Sequence, residues 1–280
     1  MPKISEIPGK RATPRPVADA PNGAERSLWD EVDTIRMLLY GRSGTGKTTL
    51  WATFPGPILA LICSGGNKPG ELRSINTPEY RKKIKPVVVQ STDDFRQRLE
   101  ESSNFATVVL DHASGYADVV LKEILGLSEL PAQKGWGLAS QQQYGQQSLQ
   151  CKESFRALLN LSANVVIVAQ ERVFGDDNSS DAIKPTVGAA LTPSVTGWLN
   201  PACDFVVQTY IRPRYTTKTV TIGGQKMTEK VKTEKKEYCL RTEPHETFMT
   251  KFRIPRGMEL PECIVDPSYD KIMALINGAR

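Results

Sequence analysis

The run GRSGTGKT, Gly41 to Thr48, sets glycines, a lysine and a threonine in the spacing G-x-x-x-x-G-K-[ST]. Those residue types at that spacing hold phosphate. Gly41, Gly44 and Gly46 open backbone conformations that residues with a Cβ avoid. Consecutive N–H groups, those of Arg42, Ser43, Thr45 and Thr49 among them, can then converge on phosphate oxygens. A helix starting near Lys47 aims its positive dipole end at the same point. Lys47 is placed to reach the β- and γ-phosphates of ATP, and the Thr48 hydroxyl is a ligand for Mg²⁺, which keeps most of its other ligands as water and phosphate. The whole loop from Gly41 to Thr49 is the expected nucleotide contact.

Such a loop works only between a strand and a helix. Thr34 to Tyr40 (TIRMLLY) reads as an apolar strand running into it, and Thr48 to Phe54 continues as a helix that Pro55 and Gly56 stop. A triphosphate site also needs an acid that holds the metal through water from the end of a buried strand. Phe105 to Asp111 (FATVVLD) supplies Asp111; the alternative is a strand-end Asp that caps the following turn. Asn164 to Ala169 is another apolar run, ending in Gln170-Glu171. Gln170 can bond a γ-phosphate and register its presence, or simply end a strand, and the sequence does not choose.

Around these residues apolar runs alternate with helical patterns, which predicts an α/β fold: a mostly parallel sheet flanked by helices. The expected strands are Ile35 to Tyr40, Ile58 to Cys63, Pro86 to Gln90, Thr107 to Asp111 and Asn164 to Gln170. Helices are expected from Ser91, from Tyr116 to Leu127, and over a long stretch ending near Leu161. After Asp204 the texture changes. Phe205 to Ile211, Thr217 to Ile222, the pair Gly223-Gly224 and Glu237 to Arg241 predict an antiparallel β meander over about 204–255, followed by a helix at about 268–277. Residues 1–28, rich in Pro, Ala, Gly and charge, are expected to be a flexible tail, and 29–280 the folded domain.

The chain has 280 residues and 39% hydrophobic content, enough for a core without staples. Its five cysteines are widely spaced with no C-x-x-C pair, which argues against a disulfide framework or zinc site and suits a reducing cytoplasm. No apolar run reaches the roughly 20 residues of a bilayer span. The net charge of +5 permits a polyanionic partner without requiring one.

The order of parts resembles the RecA-like branch of P-loop ATPases, and more closely the phage-encoded AAA-type ATPases that include the Sak-type single-strand-annealing recombinases. Besides the loop and Asp111, the resemblance rests on Trp136-Gly137 and Tyr144, Asn164 to Glu171, Pro185 through Pro193 leading to Cys203-Asp204-Phe205-Val206-Val207, and Lys251-Phe252-Arg253. It implies an oligomeric Mg-ATPase acting on single-stranded DNA in recombination or replication. It also implies that Lys251 and Arg253 reach a neighbouring subunit's γ-phosphate; an exposed basic strand face is the other reading. Two positions depart from the family pattern. Ser64 stands where a water-activating glutamate is usual, so that Glu71, or Glu171 beside the sensor, would have to substitute. His112 follows Asp111 where a small residue is common, and can be a structural histidine.

The first DNA loop of such proteins corresponds to Lys134-Gly135-Trp136, a cation beside a stacking ring. The second, Arg172 to Asp181, carries three Asp, a poor composition for gripping phosphates. The meander's Lys226, Lys230, Lys232, Lys235 and Lys236 are interleaved with Glu and read as a solvated hairpin. The remaining functional alternative is a nucleotide-dependent switch or loader that hydrolyses ATP little.

Overall fold

In a computed structural model of the chain, residues 34–63, 70–131, 139–175, 185–222 and 225–278 are described, with 219–222, 225–227 and 229–230 by their backbone alone. Apolar runs form the centre. β1 (Arg36–Gly41), β2 (Ile58–Ile62), β3 (Ile84–Val88), β4 (Thr107–Asp111) and β5 (Asn164–Ala169) pair in parallel in the order β1-β5-β4-β2-β3. β2 and β4 are buried at every residue, as strands covered on both faces must be. β5 therefore separates the strand that feeds the loop from the strand that ends in Asp111.

Alternation along the strands divides the core in two. Leu38, Tyr40, Leu61, Leu110 and Ile167 face one layer, made by α3 (Thr92–Glu100), α4 (Ala113–Ile124), α5 (Gln141–Leu159) and α6 (Pro193–Ala202), which contribute Phe95, Tyr116, Phe155 and Leu199. Met37, Leu39, Ala60, Val109 and Val168 face the other layer. There α1 (Lys47–Ala52) brings Leu50 and Trp51, and α7 (Tyr269–Ile276) brings Ile272. Each large side chain fully buried this way contributes about 1.5–3 kcal/mol of transfer free energy. Local signals start the helices: Thr77 caps α2 (Pro78–Lys83), Ser91 caps α3, and Ser140 with Gln143 forms a reciprocal capping box on α5.

The second half adds strands to the edge beside β1. β8 (Phe205–Ile222) starts parallel to β1, with Met37 opposite Phe205 and Gly41 opposite Thr209. It then pairs antiparallel with β9 (Gln225–Arg241), on which β11 (Cys263–Val265) lies, while β10 (Lys251–Phe252) pairs with the start of β8. β6 (Glu171–Phe174) and β7 (Thr186–Ala189) form a separate hairpin. Among the described residues no helix is long and apolar enough to cross a membrane.

The α/β fold class with its antiparallel addition is the one the sequence predicts, and the boundaries differ where tertiary position overrides local signals. β3 begins at Ile84, not Pro86. It is the last strand of its sheet, and an edge tolerates a proline that cannot donate. α4 begins at Ala113, three residues before Tyr116, because the His112 ring caps it. The pieces expected at Phe205 to Ile211 and Thr217 to Ile222 are one strand, bent by a bulge between Pro213 and Tyr215. The tail 1–28 and Gly223-Gly224 lie outside the described residues.

Candidate nucleotide-binding site

The loop from Gly41 to Gly46 leaves the carboxyl end of β1 and is pinned from below by β8. Thr45 donates its hydroxyl to Arg42 O (2.8 Å), and its Oγ1 lies 2.7 Å from that of Thr209. A Cβ on Gly41 would stand 2.4 Å from Thr209 O, so only glycine fits there, and Gly46 starts α1 at φ 90°, a left-handed conformation. Lys47 is buried and donates to Gly41 O and Arg42 O, both at 2.7 Å. Burial lowers its pKa, against the pull of the Asp111 and Glu171 carboxylates.

Asp111 ends β4 next to the loop helix and is 3% exposed. Its Oδ2 accepts from Trp51 Nε1 (2.9 Å) and lies 3.4 Å from Thr48 Oγ1. Burial pushes its pKa up, and the Trp51 bond and the nearby His112 and Lys47 push it back down. A hydroxyl and a carboxylate this close are hard oxygen donors, few in number. Such a set suits Mg²⁺, which keeps several waters, better than a cation that needs a full protein cage. Trp51 is a member of the site that the sequence gave no reason to single out, since an indole at that helix position reads as core.

Lys47, Thr48 and Asp111 line one cavity of about 580 Å³, a size that takes a small-molecule ligand. Its lower wall is the loop from Ser43 to Leu50. Asp111, His112 and Gln170 come from the ends of β4 and β5, and Glu71 from the short 3₁₀ turn Gly70–Ile75. Glu71 Oε2 is buried and has no hydrogen-bond partner among the described residues. The upper wall is supplied by Tyr238 of β9, whose ring passes over Gly46, and by Asp266 and Pro267. Asp266 adopts φ 47°, a left-handed conformation unusual outside glycine, and its N–H donates to Tyr238 O (2.7 Å). None of these three upper residues carries a sequence signal, because each reaches the loop through pairing of remote strands.

The structure brings together the loop, Thr48, Asp111, Gln170 and Glu71. His112 serves two roles, accepting from Gly115 N at 2.8 Å as the cap of α4 while facing the cavity. Glu171 lies next to the loop with its carboxylate taken: Oε1 binds Arg42 Nε (2.7 Å) and Oε2 accepts from Gln208 Nε2 (3.2 Å). Lys251 and Arg253 are not in the cavity. Lys251 is opposite Val206, three residues down β8 from the Thr209 level of the loop, or about 10 Å along the sheet. Its Nζ donates to Asn200 O (2.7 Å) and Pro201 O (3.1 Å), and Arg253 pairs with Asp204 (2.8 Å). Ser64, Lys134, Trp136, Gly137 and 176–181 lie outside the described residues.

A G-x-x-x-x-G-K-T loop at the end of the central strand, with β5 between that strand and the one ending in Asp111, is the arrangement of a P-loop ATPase fold. The family model described as "AAA domain" matches residues 33–254, and the chain belongs to that family. Among solved structures, the flagellar accessory protein FlaH from Methanocaldococcus jannaschii is similar at 9% identity over 84% of this chain and 86% of that one, with a TM-score of 0.40. A KaiC-like protein from Pyrococcus horikoshii OT3 is similar at 15% identity over 83% and 89%, with a TM-score of 0.36. No curated protein matches.

Proposed function

We propose that the protein binds Mg-ATP in this cavity and hydrolyses it as an oligomer acting on single-stranded DNA, in recombination or replication of the phage type. The observation that carries the nucleotide reading is the convergence of Lys47, Thr48, Asp111 and an unpartnered Glu71 oxygen on one cavity. The oligomer and the DNA rest on the family resemblance.

In this reading the loop N–H groups and the start of α1 hold the phosphates, and Lys47 swings from the Gly41 and Arg42 carbonyls onto the β- and γ-phosphates. Thr48 and Asp111 would hold Mg²⁺, Asp111 through water, and the ion would supply positive charge against the phosphate oxygens. Phosphate beside Lys47 returns its ammonium toward its ordinary pKa. Glu71 takes a proton from the attacking water as the new P–O bond forms and the bond to the β-phosphate oxygen breaks, giving ADP and phosphate. Gln170 bonds the γ-phosphate and changes partner when it leaves. Lys251 and Arg253 exchange their in-chain partners for the γ-phosphate of a neighbouring subunit.

ATP turnover measured with and without single-stranded DNA tests this reading. Turnover that DNA accelerates is expected. ATP binding with negligible turnover in both conditions would replace it with the switch or loader. Asp111→Asn keeps the shape and removes the charge, so the tightening of ATP by Mg²⁺ should shrink; equal tightening in parent and variant would remove Asp111 from the metal.

A further inference from the structure

Beyond Arg212 and Glu237, β8 and β9 pair with each other and with no other described strand. Every residue from Arg214 to Lys218 is exposed. Successive strand residues point to opposite faces, so both faces of β8 meet water from Arg214 to Lys218. A two-stranded ribbon on its own is marginally stable, and burial does not account for its length.

Its charge is as distinctive as its exposure. From Arg214 to Lys236 there are seven basic residues and two acidic ones, a net +5, equal to the +5 of the whole chain, so the remaining residues sum to zero. The acid at the root is already neutralised: Glu237 binds Arg212 (2.9 Å) and lies 3.8 Å from Arg214. Lys218, Lys232, Lys235 and Lys236 are exposed along the stem, and Tyr215, opposite Lys232, is 56% exposed. Interleaved acids suggest a merely solvated hairpin when the sequence is read alone, but the count and the two open faces favour a partner. Cations spaced along a backbone with an exposed ring between them are the elements of single-strand recognition, in which phosphates are neutralised and bases stack.

We infer that the free β8–β9 ribbon is a binding arm for single-stranded nucleic acid, gripping phosphates with Lys232, Lys235 and Lys236 and stacking a base on Tyr215. The inference rests on the DNA partner proposed above but places the contact on the ribbon, away from the ATP cavity and from the two loops the family resemblance points to.

Fluorescence anisotropy with a labelled oligothymidine of about 30 nucleotides, across a salt series and with ATP present, tests it. The combined Lys232→Ala, Lys235→Ala and Lys236→Ala variant should bind at least tenfold more weakly. Its slope of log affinity against log salt should fall by about 2, since each lost single-strand phosphate contact removes about 0.7. Tyr215→Ala should weaken binding roughly five- to hundredfold with the slope unchanged. ATP affinity should not move in either variant. Lys235→Gln, which removes the charge and keeps a polar side chain, gives the same test one charge at a time if the triple variant melts early. Parent-like DNA affinity and slope in these variants would overturn the arm while leaving the ATPase reading intact. Equal affinity for a duplex of the same length would overturn the single-strand claim, and altered sedimentation with unaltered DNA binding would make the ribbon an assembly element instead. A parent that binds no DNA would remove the arm and the DNA partner together, with ATP turnover judging the nucleotide site separately.

Discussion

Lys47 and Lys251 make the same bonds and sit in different chemistry. Each ammonium donates to two main-chain carbonyls, Gly41 and Arg42 for the first, Asn200 and Pro201 for the second, and burial lowers the pKa of both. Around Lys47 stand the loop backbone from Ser43 to Gly46, the hydroxyl of Thr48 and the carboxylate of Asp111. Around Lys251 stands the C-terminal end of α6, whose last carbonyls need a donor, and a lysine there satisfies the helix. A hydrogen-bonded lysine is thus no mark of a site; convergence of donors, acids and space is.

The sharpest test of that contrast is binding. Lys47→Ala should abolish ATP binding in titration calorimetry with the fold intact by circular dichroism, whereas Lys251→Ala should leave ATP affinity within about twofold. Unchanged affinity in the first variant would sink the phosphate-loop reading.

Next in size is turnover. If Arg253 acts across an interface, Arg253→Ala should lower kcat about 10³-fold with ATP affinity little changed, and specific activity of the parent should rise with protein concentration. Mixing Arg253→Ala with Lys47→Ala should restore part of the activity, because an intact loop can then receive an intact finger. No rescue and no concentration dependence would leave Lys251 and Arg253 as helix and strand-end partners only. Glu71→Gln should lower kcat about 10²-fold or more while ATP still binds, and parent-level turnover would exclude Glu71 as the base.

The smallest effect is on stability. Lys47 has a folded pKa below its unfolded value of 10.5, so its charged form opposes folding at neutral pH, and that cost is relieved as pH rises from the lowered pKa toward 10.5. Lys47→Met should therefore melt about 2–4 °C above the parent near pH 7, with the gap narrowing in alkaline buffer. A gap independent of pH would assign the gain to something other than the charge.

What the sequence made legible was local. The loop, the strand before it and Asp111 are each written in a few consecutive residues, and Gln170 and Glu71 fall in the cavity as the spacing allows. Tyr238, Asp266 and Pro267 reach the same cavity only because β9 and β11 pair far from the loop in sequence, and a lone tyrosine in a strand carries no sign of its destination. The hairpin of β6 and β7 was illegible for a related reason. Glu171 to Phe174 and Thr186 to Ala189 are short and mixed in character, and only pairing with each other makes them strands. α6 was hidden by Pro201 in its last turn, although Pro193 at its first stands where proline suits a helix.

β8 is a single strand of 18 residues whose first third lies in the core beside β1 and whose residues from Arg214 to Lys218 stand in water. Mechanically it is a lever with its fulcrum at the phosphate loop, where Tyr238 of its partner strand rests against Gly46. Over a free arm of about 25–30 Å, a turn of about 10° at the root carries the tip about 5 Å. In a ribbon stiff enough to turn as one piece, a displacement at Gly46 no larger than a side chain's adjustment would be multiplied toward its far end, and a load there would be felt at the loop with the same gearing.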